Sequence, residues 1–437
     1  MNRLLQELRD RELLQGHKGV VVGAGRSGRA AAALLAALGA RVLLVDTNES
    51  IDPSCVDGLG GVRLELGPHT PEQFNDAEIV VLSPGVPVRR MARVLENVPE
   101  RKIISELELA SWFTHEPILA VTGTNGKTTT TTLIGEILKQ AGKKVFVGGN
   151  IGTPLCEHLL TDERADVLVL EVSSFQLQNV RLFKPSVGML LNFAPNHLDY
   201  HEDMEEYLQA KLNLFARQDE NGLAILPADM RTELESRDFT KARKAWFSSE
   251  DAEAATFAAP HLPGAHNRSN IAAAWLAVRE FGVTPQQMAE TLQEFHPLAH
   301  RQQPVAEVKG VLFVDDSKAT TLEAVSAALR SLDRPVRLLL GGVFKGGDVP
   351  SELVPAMRGK VVQVGLFGAG REIFEPALQG EFDVFWEPSL EPAVKRLFAA
   401  ARPGDAILLS PATASFDSYS SYTERGDHFK RIAEGLA

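Results

Sequence analysis

Cysteine is nearly absent from the 437 residues: Cys55 and Cys156 alone cannot make a disulfide framework, and a cytoplasmic chain is expected. Long apolar runs are lacking as well. The longest, Ala30 to Ala40, stops at Arg41 and is too short and too Ala-rich to span a bilayer. No charged segment leading into an apolar stretch opens the chain, which argues against a secretory signal. A basic stripe is missing too: 45 Lys and Arg are scattered among 57 acidic residues, so no nucleic-acid partner is expected. What is present, 44% hydrophobic, 23% charged and 7% aromatic residues with 35 Gly and 24 Pro, excludes disorder, collagen-like repetition and a coiled coil. It is the profile of an α/β globular protein. The length suggests about three domains at roughly 150 residues each. The net charge of −12 reads first as a solvated surface; an anionic substrate would need local cations set against that field.

Along the chain, short apolar runs alternate with helical patterns, after a first stretch of fifteen residues whose Leu4, Leu5, Leu8 and Leu13 predict an amphipathic helix. Strands are expected at 19–22, 41–45, 62–66, 78–82 and 102–105, and again at 118–122, 144–147, 167–171, 187–192 and 223–226. The last set is 311–315, 336–340, 361–367 and 406–410. Helices are expected at 30–38, 128–141, 205–216 and 267–281. Continuous apolar strands separated by helices imply parallel sheets covered on both faces. The pattern restarts near residues 112 and 299. The fold class is therefore α/β, three consecutive domains with mainly parallel sheets, over residues 1–112, 113–298 and 299–437. In such sheets ligands bind beyond the carboxyl ends of the strands, so each strand end matters.

The middle domain carries the strongest signal. Strand 118–122 runs into Gly123-Thr124-Asn125-Gly126-Lys127-Thr128-Thr129 and then a helix. Glycines let backbone N–H groups approach phosphate oxygens, the helix N-terminus adds positive potential, Lys127 reaches the outer phosphates and the Thr128 hydroxyl suits Mg²⁺. Val121 stands where the full phosphate-loop motif has its first Gly. The rival reading is a Gly-rich turn beside an exposed Lys. Neighbouring strands end in Gly148-Gly149-Asn150-Ile151-Gly152, in Glu171-Val172-Ser173-Ser174-Phe175-Gln176, and in Asn192 with His197 following. An acid at a strand end beside a phosphate loop is well placed to ligate Mg²⁺. His197 and His201 lack a third ligand at suitable spacing, which argues against a zinc site. Lys211 lies within an apolar helical pattern, where a lysine can also snorkel to solvent.

The N-terminal domain has a different glycine motif, Gly23-Ala24-Gly25-Arg26-Ser27-Gly28, with Asp46 ending the next strand. That is the dinucleotide fingerprint, and alone it points to an NAD-dependent dehydrogenase. In the C-terminal domain three strands end in Asp316-Ser317-Lys318, in Gly341-Gly342-Val343-Phe344-Lys345 and in Ser410 onward, which brings three polar segments to one sheet edge.

Taken together, 123–129, 149–152, 171–177, Asn196-His197-Leu198-Asp199, His266-Asn267, His300-Arg301, 316–320 and 410–417 resemble the Mur ligases of peptidoglycan synthesis, in order, from about Gly19 to the C-terminus. The Asp316-Ser317-Lys318-Ala319-Thr320 segment and the Ser415-Phe416-Asp417 tail are similar to the branch that adds D-glutamate to UDP-N-acetylmuramoyl-L-alanine. The resemblance implies a Rossmann-like N-terminal domain, a P-loop ATPase-like middle domain and a Rossmann-like C-terminal domain. It implies that ATP phosphorylates the substrate carboxylate and that the amine of D-glutamate attacks the acyl phosphate, with two Mg²⁺ ions as cofactors, in a monomer. Catalytic roles are implied for Lys127, His197, Lys318 and Lys211, the last as a carbamoylated lysine. Gly123 to Thr129, Asn150, Asn267, Arg301 and Asp316 are implied ATP contacts, and Thr128, Glu171, His197 and Lys211 the metal set. Arg26, Ser27, Asp46, Thr47, Ser83, Gly85, Asn150, Ser173 and Gln176 would face the UDP substrate, and Lys318, Thr320, Lys345, Ser415 and Tyr422 the D-glutamate. The chain departs from the family pattern at Asn48, Asn196, Thr321 and Phe344. Folylpolyglutamate synthase, which shares the ATP unit, is a further alternative, as is a non-catalytic nucleotide-binding scaffold.

Overall fold

The computed structural model describes residues 14–86, 88–195, 200–262, 264–344 and 350–436. The expected N-terminal helix falls almost wholly outside the described residues, as do Asn196 to Asp199 and Lys345. The first sheet holds β1 (Lys18–Val22), β2 (Arg41–Asp46), β3 (Val62–Leu66), β4 (Ala77–Leu82) and β5 (Ile103–Ser105), all parallel, in the order β3-β2-β1-β4-β5. Successive side chains of a strand point to opposite faces, and here both faces are buried. Val21, Leu44 and Val81 pack with Ala31, Leu34 and Leu35 of α1 (Arg26–Ala37), while Val20, Val22, Val80 and Leu82 meet Phe74, Met91 and Leu95 on the other side.

The second sheet holds β6 (Ile118–Thr122), β7 (Val145–Gly149), β8 (Val167–Glu171), β9 (Val187–Leu190), β10 (Leu223–Pro227) and β11 (Arg243–Phe247), parallel throughout, in the order β11-β10-β9-β6-β8-β7. One face lies on α2 (Lys127–Gln140) and on the helix Ala265–Val278, through Leu133, Ile137, Ile271 and Trp275. The other face, with Ala120, Leu168 and Leu190, joins the core that covers α1 and includes Leu208 and Leu212 of α3 (Met204–Leu212). That shared core is the physical reason why Met1–His296 forms one compact unit carrying two sheets.

Pro297–Ala437 is the second compact unit. Its sheet holds β12 (Gln303–Val308), β13 (Val311–Asp315), β14 (Val336–Gly341), β15 (Val361–Phe367), β16 (Val384–Glu387) and β17 (Ala406–Leu409), in the order β12-β13-β17-β14-β15-β16. Only β12 runs antiparallel, paired at the edge with β13. The molecule is thus three α/β domains with mainly parallel sheets. β11, β12 and β16 were not expected from the sequence. Each is short and lies at a sheet edge, where Arg243, Lys244, Pro304, Glu307 and Glu387 are tolerated because only one side of the strand is paired. Among the described residues no helix is long and apolar enough to cross a membrane.

Candidate active site

The centre of the first unit is built on the exits of β6, β7 and β8, which are adjacent in the order β6-β8-β7. β6 turns through Gly123 to Gly126 into α2; Gly126 caps the helix in the left-handed region at φ 81°. The loop is braced from β9, for the Asn192 side-chain carbonyl accepts from the backbone N–H of Thr124 at 3.1 Å and of Asn125 at 2.9 Å, and its amide donates to the Asn125 carbonyl. Lys127 bends back over the loop and donates to the Gly123 and Thr124 carbonyls, both at 2.9 Å. Its charge therefore sits where phosphate oxygens would lie over the loop N–H groups.

Glu171, 2% exposed at the end of β8, is the hub. The Thr128 hydroxyl donates to its Oε2 at 2.6 Å and the Asn150 amide to its Oε1 at 2.7 Å. The backbone at Gly149 (φ 97°) lies so close to the Glu171 carbonyl that a Cβ there would collide with it, which is why a glycine precedes Asn150. A hydroxyl, an amide oxygen and a carboxylate form a hard-oxygen donor set, which fits Mg²⁺ shared with phosphate oxygens. Among the described residues there is no group of three or more His, Cys, Asp or Glu placed to hold a metal ion.

Lys211 of α3 is 1% exposed and donates to the Gly123 carbonyl at 2.9 Å, with its ammonium 4.5 Å from the Tyr207 ring centroid. It therefore reaches the same loop carbonyl as Lys127, rather than snorkelling outward. His201 is fully buried and pairs with the Ser174 hydroxyl at 2.9 Å. Ser173 and Gln176 form a reciprocal capping box on the helix Ser174–Leu177, and the Gln176 Nε2 is buried without a partner.

The first glycine loop is organised differently. Asp46 ends β2 and accepts from the Ala24 N–H at 2.7 Å and from the Asn48 N–H at 2.8 Å. The Ser83 hydroxyl, at the end of β4, donates to the Gly23 carbonyl at 2.9 Å. A Cβ at Gly28 would strike that same carbonyl, so the third glycine of the motif serves close helix–strand packing. Ser27 lies in the first turn of α1, Thr47 is exposed beside Asp46, and Gly85 follows Ser83 at φ 91°. Arg26 turns away from its own loop to a two-point pair with Glu157, at 2.9 Å for each bond, and to the Gly152 carbonyl at 2.8 Å.

In the second unit the exits of β13, β17 and β14 stand side by side, as the sheet-edge reading requires. Asp316 accepts from the Ser410 hydroxyl at 2.7 Å and from the Gln302 N–H at 3.2 Å. Burial pushes its carboxyl up to about 7 against those bonds, with the Asp315 charge adding to the rise and Arg301 opposing it. His300 pairs with Asp315 at 2.6 Å, and the Arg301 Nε is buried without a partner. The Lys318 ammonium lies 5.5 Å from the Tyr422 ring centroid, Ser415 is 2% exposed, and Thr320, two residues after Lys318, is half-buried. Asn267 lies in the first turn of the helix Ala265–Val278 in the other unit.

Two side chains that organise these sites escape sequence reading. Asn192 was legible only as a strand-end residue. Arg425 is fully buried on α4 (Tyr422–Glu434) and donates to the Ser317 hydroxyl and to the Ser317 and Thr413 carbonyls at 2.9 to 3.0 Å. Burial pushes its guanidinium down to about 10. An arginine in an amphipathic helix reads as solvated, and no local signal marks the carbonyls that await it.

The family models for the Mur ligase MurD-like N-terminal domain, the Mur ligase middle domain and the Mur ligase glutamate ligase domain match residues 17–101, 121–271 and 300–413. The UDP-N-acetylmuramoylalanine–D-glutamate ligase of Desulfovibrio desulfuricans is 50% identical over 439 residues, covering 99% of this chain and 100% of its own. The ligase of the same name from Oleidesulfovibrio alaskensis is 50% identical over 423 residues, covering 95% of this chain and 93% of its own. Among solved structures, the MurF ligase of Thermotoga maritima in complex with ADP covers 100% of this chain and 99% of its own at a TM-score of 0.53 and 18% identity, a likeness of fold. With three matched domain models in order and half of all residues shared over the whole length, this chain belongs to the Mur ligase family.

Proposed function

We propose that this chain is the ATP-dependent ligase that joins D-glutamate to UDP-N-acetylmuramoyl-L-alanine in the assembly of peptidoglycan precursors. The observation that carries the reading is the cluster at Glu171, where three neighbouring strand exits bring Thr128 and Asn150 onto one carboxylate while Lys127 lies over the adjoining loop carbonyls. It is supported by relatives of that name at 50% identity. Residues 1–112 take the UDP end of the substrate, 113–298 the ATP, and 299–437 the amino acid.

In this reading the loop N–H groups and the α2 N-terminus receive the phosphates, and Lys127 leaves its loop carbonyls for the γ-phosphate. Two anions, the substrate carboxylate and the γ-phosphate, must meet, so fixed cations are needed where charge concentrates. Thr128 and Glu171 would hold one Mg²⁺, and His197 with Lys211 a second; bound there, the ions would neutralise phosphate charge and orient the transferring group. Lys211, buried against the Gly123 carbonyl, gives up its ammonium proton, and the free amine bonds to the carbon of CO₂ as a second N–H proton leaves to solvent; the resulting carbamate supplies the anionic oxygen a bare lysine cannot. The D-glutamate amine, having lost a proton, then attacks the acyl carbon, and the tetrahedral intermediate breaks its C–O bond to release phosphate as the amide forms and the second N–H proton leaves; Lys318, Thr320, Lys345, Ser415 and Tyr422 hold the D-glutamate carboxylates. Asn267, Arg301 and Asp316 serve the rest of the ATP. A dehydrogenase would leave the Glu171 cluster without a role, and a folate-type ligase would leave the N-terminal sheet without one.

Phosphate release tests this. It should require ATP, UDP-N-acetylmuramoyl-L-alanine and D-glutamate together. Equal use of L-glutamate, or better use of meso-diaminopimelate, would sink the assignment. For Lys211, peptide mass spectrometry on fresh enzyme should find the added carbon dioxide; a bare amine in the active, unaltered enzyme, or full activity in Lys211→Ala, would exclude it.

A further inference from the structure

The assignments above leave unused a side chain that stands over the same sheet edge as Asp46. β3 lies beside β2, and the chain leaving it passes through Gly67, Pro68, His69 and Thr70. The Gly67 N–H donates to the Asp46 carbonyl at 2.9 Å, which ties the two strand exits together. On the far side Thr70 and Gln73 form a reciprocal capping box on the turn Pro71–Phe74, Gln73 also donates to Glu65, and Phe74 is 3% exposed in the core. The backbone on both sides of His69 is therefore held without any help from the imidazole. The ring is half-buried, its Nδ1 is buried, and that nitrogen has no hydrogen-bond partner. A rigidly placed polar ring with idle hydrogen-bonding capacity is a mark of a group that waits for a ligand.

Resting on the ligase reading, we propose that His69 is a specificity-determining contact to the ribose hydroxyls of the substrate's uridine, acting beside Asp46. In open parallel sheets of this order, an acid at the end of the second strand serves the ribose, and the exit of the third strand flanks it on the outer side. Both Asp46 oxygens already accept a backbone N–H, and the lone pairs left on them can only accept from a diol, with no donor to offer it. The Asn48 side chain is also engaged, accepting from the Ser50 N–H at 3.0 Å. Burial holds the imidazole below its usual range, with the Asp46 charge opposing. A neutral ring carries one N–H and one lone pair, and a hydroxyl both donates and accepts.

The test is calorimetric titration of the full chain with UDP and with 2′,3′-dideoxy-UDP. His69→Ala should weaken UDP binding about five- to tenfold, the value of one or two neutral hydrogen bonds, and leave the dideoxy compound unchanged. His69→Gln, which keeps a donor and an acceptor, should recover part of the loss. In turnover the KM for the UDP substrate should rise by the same factor, with kcat and the KM for ATP unmoved. Equal weakening of both nucleotides would mean a structural role, and unchanged UDP binding would mean no role; either result overturns the proposal. If the unaltered chain binds ATP but no UDP, the ligase reading itself fails and this contact falls with it.

Discussion

The first unit contains two glycine-rich loops of the same local design: each leaves the first strand of a parallel sheet and opens a helix. Around the loop at Gly23 the neighbouring strand ends deliver Asp46 and Ser83, which bind the loop's own backbone; of the nearby cations, Arg26 turns to Glu157 and Arg29 donates to the Ala24 carbonyl at 2.7 Å. Around the loop at Gly123 the motif itself carries Lys127 and Thr128, the neighbouring strand ends deliver Asn150 and Glu171, and Lys211 donates to the Gly123 carbonyl. In the proposed ligase the turn would make room for phosphate in both, and the residues gathered around it would decide whether a neutral diol or a transferring phosphoryl group is served. A motif match therefore states a shape, and the chemistry has to be read one strand over.

Breaking the cationic loop gives the largest effect. Lys127→Ala should lower kcat for phosphate release by about a thousandfold, the scale of losing a charged group aimed at the transition state, while UDP binding stays as before. A matching loss of UDP affinity would show that the two loops are not separate sites. Glu171→Gln comes next, with a fall of about a hundredfold and a higher Mg²⁺ requirement, measured by titrating Mg²⁺ at saturating ATP. If the requirement does not move, Glu171 organises Thr128 and Asn150 without serving a metal. Asp46→Asn probes the other loop. It should weaken UDP about tenfold and leave ATP untouched, because one oxygen can still accept an N–H while the second becomes a donor facing one.

The sheets were legible because fully buried parallel strands are apolar runs with sharp ends, Val20 to Val22 between Gly19 and Gly23 and Val167 to Leu170 between Asp166 and Glu171. The edge strands were not, since Arg243, Pro304 and Glu387 break that pattern where one face stays wet. The helix at Asn267 begins at Ala265 and ends at Val278, with Arg279–Phe281 tightening into a 3₁₀ turn, because end geometry depends on packing that periodicity does not report. Site residues carried by a motif, such as Lys127 and Thr128, could be named in advance. Asn192, Arg425 and His69 could not, because what marks each of them is a partner, or the lack of one, contributed by a distant stretch of chain.

The smallest effect is on stability and concerns the seam between the two loops. Glu106, 1% exposed just after β5, accepts from the Cys156 N–H at 2.7 Å, and the next residue, Glu157, is the partner of Arg26. Its Oε2 is buried without a partner. Burial pushes the carboxyl from its ordinary 4.5 up to about 7, the Cys156 bonds pulling it down and the Glu157 charge pushing it further up. A raised acid binds its proton more tightly in the folded chain than in the unfolded one. Its contribution to stability is therefore complete at pH values below about 4.5 and is lost as the pH rises towards 7. Glu106→Gln keeps an acceptor for Cys156 and removes the titration. Denaturant unfolding should then lose about 2 kcal/mol less than the unaltered chain between about pH 5 and about pH 8, an order-of-magnitude value from the shift. ATP and UDP binding should both survive the change. An unaltered pH slope would mean that Glu106 is ionised in the folded protein, with its charge balanced across the seam; a loss of UDP binding alone would mean that the seam orients the first loop as well as supporting it.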